Sequence, residues 1–203
     1  MITTWGYSLP ELYALPDMLD VEDYETMTGR RDVPERVAAE IAAACGAIRN
    51  FCGWHVGPEE LCRLNASVSD RRVTFIGNDV LIQLPARVVT AVSSVSINNV
   101  KYTAFDADQN GLLRVFDVHG LTRYARAVVD YTAGLTDDML APIKELIAHR
   151  VTHALAVPAG ITSEASGGVS VTYNANWINN SRATALVGDN REMLVPYKVQ
   201  GVF

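Results

Sequence analysis

The residues best suited to binding a metal lie on one predicted helix. In the stretch "APIKELIAHRVTHAL", Glu145, His149 and His153 recur every four residues and therefore share one side of a helix. Two histidines at this spacing bind zinc in metalloproteases, where a glutamate directly after the first histidine acts as the base. Here Arg150 follows His149 instead. A polar helical stripe explains the spacing better, and a metal-dependent hydrolase that uses these three residues stays open as an alternative.

The segment "DADQNGLLRVFD", Asp106 to Asp117, carries oxygen ligands in the order of a calcium-binding EF-hand loop. Such a loop lies between two helices, but the flanking stretches "NNVKYTAF" and "LLRVFDV" alternate as strands do. Asp117 is also one methylene shorter than the glutamate that normally holds calcium through both oxygens. Asp, Asn and Gly are common in tight turns. The segment therefore predicts a hairpin turn that does not need calcium.

No other group of residues indicates catalysis or a bound cofactor. The serines lack the Gly-x-Ser-x-Gly frame of hydrolases, and the Gly167-Gly168 pair lacks the lysine and the setting of a phosphate-binding loop. Cys45, Cys52 and Cys62 are odd in number and have no ligand spacing, so they predict small core residues. We expect a non-enzymatic protein without cofactors or metals.

The composition is that of a folded protein and not of a disordered chain. Hydrophobic residues make up 49% of the 203 positions and charged residues 20%, with a formal net charge of −6. The acidic balance argues against binding DNA through its phosphates. No apolar run is long enough to span a membrane, and the first twenty residues do not resemble a signal peptide. We therefore expect a soluble protein that has no membrane partner.

Two helical patterns flank a stretch with the period of strands. The first helix, "DVPERVAAEIAAACGAIRNFCGW", begins with a capping box of Asp32 and Glu35 and ends at Gly53, and the second ends at Pro158. The intervening stretch alternates with a period of two between Asn- and Gly-containing turns. We predict a mainly helical α+β fold in one domain: a small helical bundle, residues 21–66 and 136–158, with an antiparallel β insertion, residues 67–134.

Both ends of the chain are predicted to be extended arms. Residues 1–20 are interrupted by prolines, and their aromatic residues Trp5 and Tyr7 are candidate contacts with another chain. Residues 159–203 predict a loop, a strand and a C-terminal tail. The apolar residues of this tail have no evident place in a core and predict burial against a partner: Leu194, Pro196, Tyr197, Val199 and Phe203.

The order of the segments carries further information. A short acidic helix and the capped helix are followed by "LPARVVTAVSSVSINNVKY", "GLLRVF", "VVDYTAGL", the helix "APIKELIAHRVTHAL", the loop and strand "SEASGGVSVTY", and a tail ending "LVPYKVQGVF". This order, over approximately residues 20 to 203, resembles the head-tail connector (adaptor) proteins of tailed bacteriophages. Each motif is weak by itself, and the resemblance rests on their order and spacing.

The resemblance implies a structural role in the virion neck, after synthesis and assembly in the cytoplasm of the host bacterium. Such adaptors form a ring of twelve copies on the portal protein, extend the DNA channel and provide the platform for the stopper or tail. DNA passes through without specific binding. The C-terminal segment of the family commonly docks on the portal, which here corresponds to residues 191–203. A stopper or tail-completion protein of the same neck is the alternative.

Overall fold

The computed structural model describes residues 6–9, 14–67, 70–120, 125–156, 163–166, 169–172 and 189–199. The chain divides into two compact units. We call residues 1–16, 52–136 and 197–203 the β-rich unit, and residues 17–51 and 137–196 the helical unit. The chain therefore passes from one unit to the other four times, and neither unit is one continuous segment.

The helical unit contains the long helices that the sequence predicts. Its elements are α1 (Val21–Thr28), α2 (Pro34–Cys52, whose last residue belongs to the β-rich unit), α3 (Asp137–Ala156), the hairpin β10 (Ser163–Ser166) and β11 (Val169–Thr172), and α4 (Asp189–Leu194); a 3-10 turn, Val195–Tyr197, follows.

Helix α1 is capped at both ends and packs on α3. The Asp20 carboxylate accepts the backbone N–H of Asp23 at 2.7 Å, and Gly29 ends the helix with φ +67°. The buried Tyr24 places its hydroxyl 3.2 Å from the Thr152 hydroxyl of α3. The Lys144 ammonium of α3 lies 3.0 Å from the Asp23 carboxylate. Local capping thus determines the ends of α1, and a buried aromatic residue determines which face meets α3.

The β-rich unit is built from two antiparallel sheets. One sheet has the strand order β1-β2-β9-β5-β6, and the other has the order β3-β4-β8-β7. Their bounds are β1 Tyr7–Ser8, β2 Glu60–Ser67, β3 Val73–Ile76, β4 Asp79–Gln83, β5 Val89–Ile97, β6 Val100–Tyr102, β7 Phe105–Ala107, β8 Leu112–Val115 and β9 Arg126–Ala133.

Strands β2 and β9 form the centre of the larger sheet. They pair without interruption from Glu60↔Ala133 to Ser67↔Arg126. Because side chains alternate across a strand, one face of this pair is apolar and buried. Its cross-strand pairs are Cys62 with Tyr131, Leu64 with Val129 and Ala66 with Ala127. On the opposite face, the guanidinium of Arg63 lies 2.5 Å from the carboxylate of Asp130 and lowers the pKa of that carboxyl.

The prediction of a mainly helical fold with extended arms is wrong. The fold is α+β, and among the described residues nine strands in two antiparallel sheets accompany four helices. Residues 60–66, which the sequence analysis places in the helical core, form β2 instead, and residues 53–59 separate this strand from α2. Within the predicted arms, Tyr7–Ser8 pairs with β2 and residues 189–197 are helical. Long-range strand pairing, which local patterns do not encode, accounts for the first of these differences.

Candidate functional site

The C-terminal tail is the predicted contact region, and most of it lies in the described part of the chain; Phe203 lies outside. Leu194 ends α4 with 0% of its surface exposed, whereas Pro196 is exposed and Tyr197 and Val199 are half-buried. The segment is therefore not a row of free apolar side chains. Leu194 is a core residue of its own chain, and its side chain does not reach a partner in this conformation.

Two exposed apolar residues of the tail were missed by the sequence analysis. Met193 is 47% exposed and Val195 is 57% exposed, on either side of the buried Leu194. The helical and 3-10 backbone turns consecutive side chains in different directions, so Leu194 is buried while Met193, Val195 and Pro196 are each exposed. The Asp189-Asn190 pair before "REML" is a helix-start signal that predicts this conformation. We call Met193, Val195 and Pro196 the tail surface.

Within the β-rich unit, the tail is hydrogen-bonded to Cys52, the last residue of α2, and to Trp54, which lies two residues later. The indole N–H of Trp54 donates to the carbonyl oxygen of Tyr197 at 2.7 Å. The backbone N–H of Val199 donates to the carbonyl oxygen of Cys52 at 2.9 Å. Trp54 was not a candidate from the sequence, because Tyr197, the acceptor of its indole N–H, lies 143 residues away along the chain.

The N-terminal candidates do not form a free arm in the described residues. Trp5 lies outside them, and Tyr7 is 3% exposed within β1. The Nε2 atom of His55 lies 2.8 Å from the Ala133 carbonyl and must carry a proton to donate to it. In the neutral ring, Nδ1 therefore accepts from the Tyr7 hydroxyl at 2.6 Å, and the hydroxyl oxygen in turn accepts the backbone N–H of His55 at 3.0 Å. Tyr7 is thus engaged by its own sheet.

Helix α3 brings His149 and His153 together but supplies no further metal ligand. Their ring centroids are 4.6 Å apart, with His149 exposed and His153 half-buried. Burial lowers the pKa of His153, with smaller effects from His149 and Arg150. Glu145 is exposed. Within the described ranges, no three His, Cys, Asp or Glu side chains are grouped in a way that could hold a metal ion. The hydrolase alternative therefore gains no support from the site geometry.

The three cysteines lie in the interior, which confirms their prediction as core residues. Burial raises the pKa of Cys45 to about 11 and that of Cys52 and Cys62 to about 12. Because the thiolate is the nucleophile and the metal ligand, thiols with such pKa values react slowly at neutral pH. Their arrangement is that of small apolar packing residues.

The segment from Asp106 to Asp117 spans the β7–β8 hairpin, which confirms the hairpin interpretation of its flanks. Asp108 closes the turn: its backbone N–H donates to the Leu112 carbonyl at 2.8 Å, and its carboxylate accepts the Asn110 side-chain amide at 2.9 Å. Asp117 donates its backbone N–H to Asp79 at 3.3 Å. These contacts close the hairpin through the protein's own groups.

We expect this hairpin not to bind calcium with useful affinity. Its strands are paired and Asp108 is already hydrogen-bonded, so a cation would have to displace existing contacts. Titration calorimetry of the purified protein should show no micromolar calcium binding. Added calcium should also leave the melting temperature unchanged, both for the unaltered protein and for Asp106→Ala. Micromolar binding that Asp106→Ala abolishes would contradict the prediction.

The chain matches no protein-family model and no curated protein. No helix in the described segments is long and apolar enough to cross a membrane.

Proposed function

We propose that this protein is a structural head-tail connector (adaptor) of a tailed bacteriophage, which forms a ring of twelve copies on the portal in the virion neck. The order of sequence segments suggests the family. One structural observation carries the proposal: the tail surface, Met193, Val195 and Pro196, is exposed beside the fully buried Leu194. A segment that is held by its own chain and still displays apolar side chains is suited to docking on a partner.

Because a ring contains many copies, a small contact between each copy and the portal is sufficient for stable attachment. Each tail surface offers only a few apolar side chains, so one copy alone would bind weakly once ordering costs are subtracted. A closed ring presents the same contact once per copy, and the linked contacts add to a durable joint. This arrangement explains how short tails hold an adaptor on the portal.

The charge of the chain suits a DNA channel. The formal net charge is −6, and a ring of such chains repels phosphates at short range. DNA therefore passes without the many favourable contacts that would retain it. In this proposal the partners are the portal on one side and a stopper or tail-completion protein on the other, and the protein has no catalytic role and no cofactor.

A stopper or tail-completion protein of the same neck is the second candidate. The observation that favours it is the β-rich unit, because its nine strands are more than a mainly helical adaptor is expected to contain. Such a protein would bind the adaptor ring and not the portal. The two candidates therefore differ in which neighbour must be present before the protein attaches.

The proposal is tested by adding the purified protein to DNA-filled heads that carry a portal but lack neck proteins. We expect the protein to sediment with these heads and electron microscopy to show a ring at one vertex. Capsids without a portal are the control and should bind none. Attachment only after another neck protein has bound would favour the stopper, and no attachment under either condition would reject both candidates.

A further inference from the structure

The last described residues form a clasp with residues at the end of α2. The Trp54 indole donates to the Tyr197 carbonyl at 2.7 Å, and the Val199 N–H donates to the Cys52 carbonyl at 2.9 Å. We call residues 52–54 and 197–199 the tail clasp. Each of its two segments provides one donor and one acceptor. The pair of bonds therefore specifies both the position and the direction of the tail backbone.

The Cys52 carbonyl is available because a helix ends there. Helix α2 ends at Cys52, and Gly53 turns the chain away with φ +77°. The last carbonyls of a helix have no N–H partner within the helix and need a donor from elsewhere. Val199 supplies this donor from the far end of the chain. The tail thus takes part in capping α2.

Trp54 provides a rigid donor. Its side chain is 0% exposed, and its ring contacts His55 edge to face with the centroids 5.4 Å apart. His55 is itself held by the Tyr7 hydroxyl and the Ala133 carbonyl. Because a buried indole N–H needs an acceptor and the ring is confined by packing, the Tyr197 carbonyl is held at one place.

The tail lies at the surface of the β-rich unit and is not buried within it. Lys198 is exposed, and Tyr197 and Val199 are half-buried. Both clasp bonds use backbone atoms of the tail. Its path is therefore defined by backbone hydrogen bonds as well as by partial burial, and part of its side-chain surface stays accessible.

We infer that Trp54 is a positioning residue for portal docking. By holding Tyr197 and Val199, the clasp fixes the tail backbone directly after Pro196 of the tail surface, so less conformational entropy is lost when the tail surface meets its partner. The inference rests on the proposed function, because the portal is the surface that the tail is expected to meet. The position of the tail backbone and its docking are then coupled through the indole N–H of Trp54.

Two variants and a matched control test the clasp in the full chain. Trp54→Phe keeps an aromatic ring and removes the donor; Val199→Pro removes the other donor outside the core; Val199→Ala keeps the backbone N–H. We expect amide hydrogen exchange in a peptide covering residues 195–203 to be about tenfold faster in the first two variants and unchanged in the third. Retention on portal-bearing heads should weaken by about the same factor.

The outcomes separate the clasp from the docking role. Unchanged exchange in both Trp54→Phe and Val199→Pro would overturn the clasp. Faster exchange with undiminished retention would overturn the positioning role and leave the proposed function intact. Failure of the unaltered protein to attach would reject the proposed function, while the exchange data would still show whether the clasp holds the tail. If Trp54→Phe does not fold, Val199→Pro carries the test by itself.

Discussion

Deletion of residues 191–203 is expected to abolish retention of the protein on DNA-filled, portal-bearing heads. The deletion removes the whole tail surface together with Tyr197 and Val199. It should also lower the free energy of unfolding, because Leu194 is fully buried and the indole of Trp54 loses its acceptor. The loss of one buried leucine is worth about 2–5 kcal/mol. Sedimentation with heads and urea denaturation of the free protein measure the two effects.

Because the deletion affects both properties, a second variant must separate them. Replacing Met193 and Val195 by serine changes only side chains that are 47% and 57% exposed. We expect its stability to stay within about 0.5 kcal/mol of the unaltered protein, as is usual for surface substitutions. Retention on heads should nevertheless fall by at least about tenfold for the loss of both apolar contacts. Retention equal to that of the unaltered protein would exclude the tail surface from docking.

Replacement of Gly134 by alanine is expected to destabilise the β-rich unit by about 3 kcal/mol or more. Gly134 follows β9 with φ +138°, a conformation that L-residues rarely adopt. An added Cβ would lie 2.5 Å from the Pro58 carbonyl oxygen and 2.5 Å from the Glu59 Cα atom, both backbone atoms. The local backbone cannot shift freely, since Gly134 donates to Val88 and Leu135 donates to Val56. Urea denaturation followed by circular dichroism measures the loss.

Gly46 offers the matched control for this substitution. It lies inside α2, and an added Cβ would meet no atom within 4 Å. Alanine is the better helix former, so Gly46→Ala should stabilise the protein by about 0.5–1 kcal/mol. Equal effects of the two substitutions would show that the close backbone approach at Gly134 does not constrain this turn.

Helix boundaries were largely predictable because their signals are local. The predicted end of the capped helix at Gly53 is confirmed, because α2 ends at Cys52 and Gly53 has a positive φ. The detail of the N-terminal cap was not predictable. Asp32 was expected to cap α2 in a capping box, but its carboxylate instead binds the Arg30 guanidinium at 2.9 Å, and this contact lowers the pKa of Asp32. The Val33 carbonyl oxygen accepts the backbone N–H groups of Arg36 and Val37, both at 3.0 Å.

The exposure of the C-terminal tail was not predictable residue by residue. Its apolar composition is visible in the sequence, yet Leu194 lies inside and Val195 outside. This difference depends on the helical backbone of residues 189–197 and on the packing around it. Tyr7 was similarly expected to face a partner, but its hydroxyl is held by His55, 48 residues away.

The sequence by itself determined the helices α1 to α3, the turn residues and the alternating strands within residues 67–134, since periodicity and capping act over a few neighbouring residues. Only the tertiary structure decided that Glu60–Ser67 pairs with Arg126–Ala133, that Tyr7 joins the same sheet, and that Trp54 holds Tyr197. Each of these contacts joins residues that are tens of positions apart or more. Their formation depends on which surfaces the whole chain can bury together, and a local sequence pattern does not specify those long-range contacts.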